Sequence, residues 1–424
     1  MGKTIIISNR LPIKIVQDNN ELLYKASEGG LATGLNSVFK QGNNLWVGWP
    51  GLAIEKSQEE EVHSNLIKQH MKPIFLSSEE IEDFYEGFSN ETLWPNFHYF
   101  NQYTVYKEEL WLAYQRVNKK FAESLSEELE DDDTVWIHDY QLLLLPQLIR
   151  AISPNATIGF FLHIPFPSYE SFRLLPWRRE LLNGLLGADF LGFHTYDDMR
   201  HFLSSVNRLA GLGNSNGTIK VKNRLIKADA LPMGIDYEKY ATSAQDPETL
   251  AREARYRKSI GTVKLILSID RLDYSKGIPQ RLRAFELFLS KYPDFKEKVS
   301  LFMVVVPSRD SVSKYKQLKE EIDLLVGRIN GQFSKLNWTP IHYFYRSFPL
   351  PALSAFYRIS DVALVSPMRD GMNLVCKEYV ASRLDKKGVL ILSEMAGASK
   401  ELSDAIIVNP NDIHQLVEAM HKAL

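Results

Sequence analysis

Residues 263–277 read Val-Lys-Leu-Ile-Leu-Ser-Ile-Asp-Arg-Leu-Asp-Tyr-Ser-Lys-Gly. The first seven are rich in apolar and β-branched residues, which is typical of a buried strand, and two cations, Arg271 and Lys276, follow closely. Ligands of parallel sheets bind beyond the carboxyl ends of the strands, where both cations are expected to lie. The stretch therefore predicts a parallel strand that presents two positive charges suited to a diphosphate.

A second anion-binding pattern occurs further along the chain. Residues 369–375 read Arg-Asp-Gly-Met-Asn-Leu-Val and open a predicted helix, Leu374–Arg383. The free N–H groups of a helix N-terminus can hold an anion, and Asp370 can accept hydrogen bonds from hydroxyl groups. Arg271 or Lys276 alone would more often be a solvated surface charge. Together, the two patterns predict a nucleotide-sugar site.

Short β-rich runs alternate with longer helical patterns along the whole chain. This alternation predicts parallel sheets with helices on both faces. A Pro- and Gly-containing break at residues 231–236 separates two such series. The predicted fold is therefore α/β, with two doubly wound, Rossmann-like domains, residues 1–233 and 234–424, facing one cleft. The predicted strands are Thr4–Ser8, Leu45–Val47, Thr134–His138, Thr157–His163, Val263–Ile269, Val299–Val306, Ile341–Phe344, Val362–Val365 and Val389–Leu392, and the main predicted helices are Glu108–Leu129, Ser171–Leu186, Pro279–Lys291, Ser311–Asn330, Leu374–Arg383 and Ile413–Ala423.

Composition narrows the functional classes. The 424 residues suffice for two or three domains, and 50 Lys and Arg against 52 Asp and Glu leave a formal net charge of −2. No global positive field favours nucleic acid or an anionic membrane, so neither is a predicted partner. The single cysteine, Cys376, excludes an intrachain disulfide and predicts a cytoplasmic location. No apolar run approaches the ~20 residues of a membrane-spanning helix.

The N-terminal half carries its own ligand-binding patterns. Residues 8–12, Ser-Asn-Arg-Leu-Pro, end the first predicted strand with the cation Arg10. Residues 28–34 contain Gly29 and Gly30 before a short helical pattern; a Gly-Gly loop alone is more often a plain turn, but this position favours a phosphate-binding loop. Residues 85–95 string Tyr85 and Trp94 through a stretch without a clean period. Such aromatic residues either pack in a core or form platforms for sugars.

Two predicted strand ends carry histidines. Residues 138–140 read His-Asp-Tyr, and residues 163–167 read His-Ile-Pro-Phe-Pro. An isolated histidine in an apolar segment is more often a hydrogen-bonded packing residue than a catalyst. Because both lie where predicted strands end, and proline restricts the chain after His163, they predict a preformed loop at the cleft.

With these motifs in register, the chain resembles the trehalose-6-phosphate synthases of glycosyltransferase family 20, which are retaining enzymes of the two-domain GT-B type. The resemblance runs from Ser8 to about Pro410. The motifs that carry it are residues 8–12, 29–31, 93–95, 136–140, 163–167, 192–196, 271–277 and 369–375, together with Glu378.

The resemblance implies a role for each donor-side residue. Arg271 and Lys276 would hold the donor diphosphate and neutralise the departing nucleotide. Asp370 would accept hydrogen bonds from the donor glucose, and Glu378 would hold the ribose hydroxyls. The remaining donor contacts that it implies are the backbone of Gly371, Met372, Asn373 and Leu374, with Gly30 against the phosphate and His163 beside the sugar.

For the acceptor, the resemblance implies glucose 6-phosphate. Its phosphate and sugar would bind to Arg10, Tyr85, Trp94, Asp139 and Arg309, and the implied catalytic group is Arg271, Lys276, Asp370, His163 and Asp139. The expected donor is UDP-glucose, although ADP- or GDP-glucose stays open, and the expected product is trehalose 6-phosphate. Two alternatives remain: a related synthase with another phosphorylated acceptor such as glycerol 3-phosphate, and a non-catalytic regulatory domain that binds sugar phosphates.

No cofactor and no metal are predicted. Asp131, Asp132 and Asp133 contain an Asp-x-Asp pattern that ligates a metal in other glycosyltransferases. The run continues an acidic stretch and precedes a predicted strand, so a solvated acidic loop is the preferred interpretation. Family members usually extend past the position of Leu424, which raises the expectation of a longer parent chain with a C-terminal phosphatase domain.

Overall fold

The computed structural model of the protein describes residues 2–18, 21–26, 35, 39, 44–126, 128–130, 132–308 and 313–424. The chain divides into two compact units, Met1–Met233 and Gly234–Leu424. Each unit is built around its own sheet, and the two are described in turn.

The first unit holds a sheet of nine described strands in the order β5-β4-β1-β6-β7-β8-β11-β10-β9. Pairing is parallel from β5 to β11, and β10 and β9 add an antiparallel edge. The strands are β1 Thr4–Arg10, β4 Asn44–Trp49, β5 Met71–Pro73, β6 Thr134–His138, β7 Thr157–Phe161, β8 Phe190–Phe193, β9 Asn214–Ser215, β10 Thr218–Val221 and β11 Arg224–Ala230, with a separate hairpin of β2 Ile13–Asp18 and β3 Glu21–Ala26.

Helices cover this sheet, and one of them is unusual. Residues Ile81–Leu93 form a π-helix, a form that rarely exceeds one turn and often marks functional sites. Its wider turn explains why residues 85–95 show no α-helical period. The longer α-helices are α1 Lys56–Ile67, α2 Glu108–Glu123, α3 Leu145–Ile152, α4 Arg178–Leu185 and α5 Tyr196–Ala210.

The second unit contains a six-stranded, all-parallel sheet in the order β14-β13-β12-β15-β16-β17. Its strands are β12 Lys264–Arg271, β13 Val299–Val306, β14 Ile341–Tyr345, β15 Val362–Val365, β16 Val389–Ser393 and β17 Ile406–Val408. Its helices are α6 Tyr237–Ser243, α7 Pro247–Ile260, α8 Ile278–Lys291, α9 Ser313–Phe333, α10 Leu350–Ile359, α11 Leu374–Ser382 and α12 Ile413–Ala423.

Strand β12 explains why its sequence reads as a continuous apolar run. Ile266 packs into one hydrophobic cluster, whereas Leu265 and Leu267 pack into another. Helices cover both faces of a parallel sheet, so both sets of alternating side chains are buried. The run therefore indicates a central strand.

Several predicted boundaries differ from the structure. The predicted helix Ser171–Leu186 is two helices, Tyr169–Phe172 and α4, because Pro176 interrupts the pattern between them. The predicted helix Glu108–Leu129 ends at Glu123, and the predicted strand Thr157–His163 ends at Phe161, so His163 lies in the following loop. Among the described residues, no helix has the length and apolar character that crossing a bilayer requires.

Candidate active site

Strand β12 and the turn after it carry the two cations that are predicted to bind a diphosphate. Arg271 is the exposed last residue of β12, and Lys276 ends a short 3-10 turn, with 8% of its surface exposed. Gly277 follows with φ of 66°, and a Cβ atom there would lie 2.7 Å from the carbonyl oxygen of Ser366. Only glycine fits this position without strain, which explains the end of the motif.

The structure brings the two sequence motifs of the second unit together. Nζ of Lys276 lies 2.5 Å from Oδ2 of Asp370, and Nδ2 of Asn373 donates to the same oxygen at 3.1 Å. The backbone of Asp370 is also held, since its N–H donates to the carbonyl of Met395 at 3.1 Å and its carbonyl accepts from the N–H of Gly397 at 3.2 Å. The result is a positioned ammonium–carboxylate pair beyond the carboxyl end of β12.

A fully buried arginine, which the sequence analysis missed, lies behind Lys276. Arg281 of α8 donates to Asp270 at 2.7 Å, to Ser366 at 3.1 Å and to the carbonyl oxygen of Lys276 at 3.0 Å. Burial raises the pKa of Asp270, and the charge of Arg281 opposes that rise. The sequence signal was the position of Arg281 on the apolar face of the predicted helix Pro279–Lys291. An arginine on such a face is buried and therefore needs polar partners such as Asp270.

The predicted anion-binding helix start is α11. Asn373 precedes it with φ of 71°, and its side-chain oxygen accepts from the N–H of Cys376 at 3.3 Å. Gly371, Met372 and Asn373 are buried, and Leu374 is the first helical residue. Burial raises the pKa of Cys376 to about 12, so its buried thiol stays neutral. The first turn of α11 therefore stands directly beside Asp370.

Glu378 on α11 is held by two phenols that sequence reasoning did not find. Tyr240 donates to Oε1 at 2.9 Å, and the buried Tyr357 donates to Oε2 at 2.7 Å. Burial raises the pKa of Tyr357 well above its usual value, and the Glu378 carboxylate adds to that effect, so the phenol remains a donor. One donor on each oxygen fixes the orientation of the carboxylate.

In the first unit, Arg10 packs against two aromatic rings. Its guanidinium carbon lies 4.7 Å from the ring centre of Trp49 and 4.9 Å from that of Tyr85, within the range of cation–π contacts. Arg10 and Tyr85 are predicted site residues, whereas Trp49 was not predicted from the sequence. Trp49 pairs with Arg10 in the β1–β4 register, so the strand order was the signal that it needed.

Asp139 adopts a backbone conformation that only glycine normally tolerates. Its φ of 77° and ψ of 170° follow the end of β6, and such a conformation costs roughly 1–3 kcal/mol. Its N–H donates to the carbonyl of Phe161 at 2.9 Å, and its Oδ1 accepts from the N–H of His163 at 3.2 Å. These contacts join two predicted site residues and hold the strained peptide.

Three imidazoles, those of His138, His163 and His194, cluster at the carboxyl ends of β6, β7 and β8. Nδ1 of His138 lies 3.0 Å from Nε2 of His163, and the rings of His163 and His194 are 5.6 Å apart. Burial lowers the pKa of His138 to about 3. Burial, followed by the two neighbouring histidines, lowers the pKa of His163 well below its usual value. Both rings are therefore neutral near pH 7.

Trp94 is more enclosed than a sugar platform needs. Only 4% of its surface is exposed, and its ring packs 4.1 Å from that of His98 and 5.6 Å from that of Tyr140. The two remaining predicted site residues, Gly30 and Arg309, lie outside the described residues.

The acidic run differs from its prediction. Asp133 is buried instead of solvated, and it accepts from the N–H of Lys3 at 2.8 Å and from that of Glu130 at 3.1 Å. It therefore ties the start of β1 to the loop before β6, whereas Asp132 is exposed and Asp131 lies outside the described residues. Within the described part of the chain, no group of three or more His, Cys, Asp or Glu side chains could hold a metal ion.

Comparisons with known proteins identify the family of the chain. The model of glycosyltransferase family 20 matches residues 2–424. A bifunctional trehalose-6-phosphate synthase/phosphatase of Thermoproteus tenax is 46% identical over 433 residues, which cover 100% of this chain and 58% of that protein. A UDP-forming alpha,alpha-trehalose-phosphate synthase of Candida albicans is 45% identical over 430 residues, which cover 100% of this chain and 90% of that protein.

A solved structure adds the fold. The crystal structure of a UDP-forming alpha,alpha-trehalose-phosphate synthase from Burkholderia xenovorans, in complex with glucose-6-phosphate, matches with a TM-score of 0.90 at 36% identity. The match covers 100% of this chain and 92% of that chain. The resemblance inferred from the motifs and the predicted GT-B fold class are confirmed.

Proposed function

Because this chain belongs to glycosyltransferase family 20, we propose that it transfers glucose from UDP-glucose to glucose 6-phosphate, with retention, to give trehalose 6-phosphate. The observation that carries the proposal is the pair of Lys276 and Asp370 at 2.5 Å, which joins the two family motifs of the second unit. The chain spans 58% of the length of its Thermoproteus relative, and a phosphatase domain beyond Leu424 stays a prediction. The single cysteine supports a cytoplasmic location.

Residues 234–424 are the proposed donor-binding domain. Arg271 and Lys276 bind the diphosphate, and Asp370 accepts hydrogen bonds from the glucose. Glu378 holds the ribose hydroxyls, since the two phenols leave lone pairs on both of its oxygens. The backbone of Gly371, Met372, Asn373 and Leu374 completes this set, because these residues run from Asp370 into the N-terminus of α11.

Residues 1–233 are the proposed acceptor-binding domain. Arg10 is exposed and oriented by Trp49 and Tyr85, so its guanidinium keeps donors for the 6-phosphate. Asp139 accepts hydrogen bonds from acceptor hydroxyls, and His163 contacts the donor sugar. The assignments of Gly30 and Trp94 in this domain, and of Arg309 in the second, stay predictions.

The proposed reaction is a front-face substitution. The anomeric hydroxyl of glucose 6-phosphate forms a bond to the anomeric carbon of the donor while the bond from that carbon to the UDP oxygen breaks. The proton of the attacking hydroxyl passes to the departing phosphate, and Arg271 and Lys276 stabilise the charge that develops there. A double displacement needs a free carboxylate nucleophile, whereas the ion pair with Lys276 engages Asp370. Neutral His163 contributes a hydrogen bond instead of a proton.

An assay of UDP release tests the proposal. UDP-glucose is supplied with glucose 6-phosphate, with glycerol 3-phosphate or with no acceptor, and the disaccharide product is identified by NMR. We expect UDP release that depends on glucose 6-phosphate, together with an α,α-linked product. Release only with glycerol 3-phosphate would indicate the other synthase class. Binding of sugar phosphates without turnover would indicate a regulatory domain.

A further inference from the structure

The contact between His138 and His163 limits which of their ring nitrogens can carry a hydrogen. Their facing nitrogens, Nδ1 of His138 and Nε2 of His163, are 3.0 Å apart, and His138 is fully buried. Two neutral imidazoles at this distance share one hydrogen, because a hydrogen bond needs one protonated and one bare nitrogen. Either His138 donates through Nδ1 or His163 donates through Nε2.

The other nitrogen of His138 distinguishes the two arrangements. Its Nε2 atom is buried and meets no hydrogen-bond partner within the part of the chain that the structure describes. If His163 donated, Nε2 of His138 would carry the proton and would be a buried, unpaired N–H. Unpaired buried donors are rarer in proteins than under-satisfied acceptors. The arrangement in which His138 donates leaves only a bare nitrogen there.

We propose that His138 is a positioning residue that holds His163 in its neutral Nδ1–H tautomer, so that His163 presents a fixed hydrogen-bond donor to a hydroxyl of the donor sugar. The assignment of His163 to that sugar rests on the proposed function. Free neutral histidine favours the Nε2–H tautomer, so both His138 and His163 carry the less favoured Nδ1–H tautomer in this arrangement. Because Nε2 of His163 accepts from His138, Nδ1 is the nitrogen left for a ligand.

Other contacts orient the ring of His163 but do not choose its tautomer. Phe161 packs 4.7 Å from it and His194 lies 5.6 Å away, measured between ring centres. Asp139 accepts from the backbone N–H of His163, a contact that does not involve the choice of ring nitrogen. Of the described contacts to the ring, the hydrogen bond to His138 is the one that distinguishes the two nitrogens.

NMR on the full chain labelled with ¹⁵N-histidine tests the tautomer without any assay of activity. The chain has 10 histidines, and spectra of His138→Asn and His163→Asn assign the two that matter. We expect protonated Nδ1 and bare Nε2 nitrogens at both rings near pH 7. A protonated Nε2 at His138 or at His163 would overturn the proposal. This readout stands even if the protein does not transfer glucose from UDP-glucose.

Kinetics with monodeoxy UDP-glucose donors test the consequence. The wild type should discriminate against the donor that lacks the contacted hydroxyl by roughly 2–10-fold in kcat/KM, the range for one neutral hydrogen bond. His138→Asn should keep this discrimination, because the asparagine amide lies close to the position of the histidine Nδ1–H. His138→Phe, which lacks any donor, should lose it.

His201→Phe is the matched control, since it removes an imidazole whose Nδ1 lies 3.2 Å from the carbonyl oxygen of Phe166 in the same unit. It should discriminate as the wild type does. Equal discrimination in the Asn and Phe variants of His138 would refute the positioning role. If His138→Phe does not fold, as judged by circular dichroism, the NMR experiment still decides. A wild type without any transfer refutes the proposed function and leaves the tautomer to NMR.

Discussion

The two units hold their predicted phosphate-binding cations in different ways. Lys276 is mostly buried and paired with Asp370, whereas Arg10 is exposed and lies against the rings of Trp49 and Tyr85. A buried ammonium needs a countercharge, because desolvation costs several kcal/mol per ion. An exposed guanidinium keeps its hydration, and the rings only orient it. Lys276 therefore meets a diphosphate with one of its three N–H donors already engaged by Asp370, whereas Arg10 meets its ligand with its guanidinium oriented by two rings.

The two units agree in where they place unusual backbone. Asp139 follows β6 with φ of 77°, and Asn373 precedes α11 with φ of 71°. Side-chain and backbone contacts hold both residues, as the surroundings of a strained peptide must. A strained backbone at a proposed ligand-binding residue is thus common to both units, whereas the two units differ in how they hold their cations.

The largest expected effect is the loss of Lys276. Lys276→Ala should lower kcat/KM by roughly 10²–10³, the scale for one preorganised electrostatic stabiliser. The matched control is Lys377→Ala, since Lys377 has the same side-chain exposure, 10%, and pairs with Glu401 at 2.9 Å on the same unit. Steady-state kinetics with both substrates measure the effect. If the two variants lost equal activity, the special role of the Lys276 pair would be refuted.

Removal of Arg10 should have a smaller and selective effect. Arg10→Ala should weaken glucose 6-phosphate binding by roughly 10–150-fold, since charge-assisted hydrogen bonds contribute ~1.5–3 kcal/mol, and should leave donor binding unchanged. Calorimetry with each substrate separates the two affinities. Arg208→Ala removes another exposed arginine, 4.9 Å from the ring of Tyr169, and should change neither. A weaker donor affinity in Arg10→Ala would mean that the assigned sub-sites are exchanged.

Acid should destabilise the first unit through its neutral histidines. The unfolded chain binds a proton at His138 below about pH 6.5, but the folded chain does not until about pH 3, so stability decreases as the pH is lowered through that window. The slope is about 1.4 kcal/mol per pH unit for one proton. His138→Asn should reduce the slope of urea-unfolding stability between pH 6 and pH 4 by nearly that amount. His342→Asn, at a half-buried histidine of the second unit with a lowered pKa, should reduce it less. Equal reductions would contradict this difference between the units.

The smallest expected effect is that of metal removal. Arg271, Lys276 and the start of α11 supply the countercharge for the diphosphate, so EDTA should leave the initial rate essentially unchanged. Asp131→Asn should leave activity unchanged too. Asp133→Asn should lower stability without altering kcat, because Asp133 binds two backbone N–H groups. Activity that EDTA removes and Mg²⁺ restores would show that the cations do not act alone.

Local pattern predicted much of the framework of both units. The strands Thr134–His138, Val299–Val306 and Val362–Val365 match their predictions to the residue, since buried strands combine apolar side chains with sharp polar ends. Patterns failed where the period changes. The π-helix that carries Tyr85 has no α-helical stripe, and Pro176 divides a run that otherwise reads as one helix.

The residues that support the site were mostly beyond sequence reasoning. Tyr240 and Tyr357 were not predicted as site residues, and the fold brings both to Glu378. Trp49 lies outside the predicted strand Leu45–Val47, and only the parallel register sets it beside Arg10. In each case the partner is distant along the chain, and no local period encodes such a contact.

By itself, the sequence determined the fold class, the family and the positions of Arg271, Lys276 and Asp370, because strand ends and helix starts are local events that few residues specify. Only the tertiary structure decided which of these groups meet. It paired Lys276 with Asp370, buried Asp133 and set His138 against His163. These outcomes depend on strand order and on desolvation, which are properties of the packed sheet and not of any segment within it.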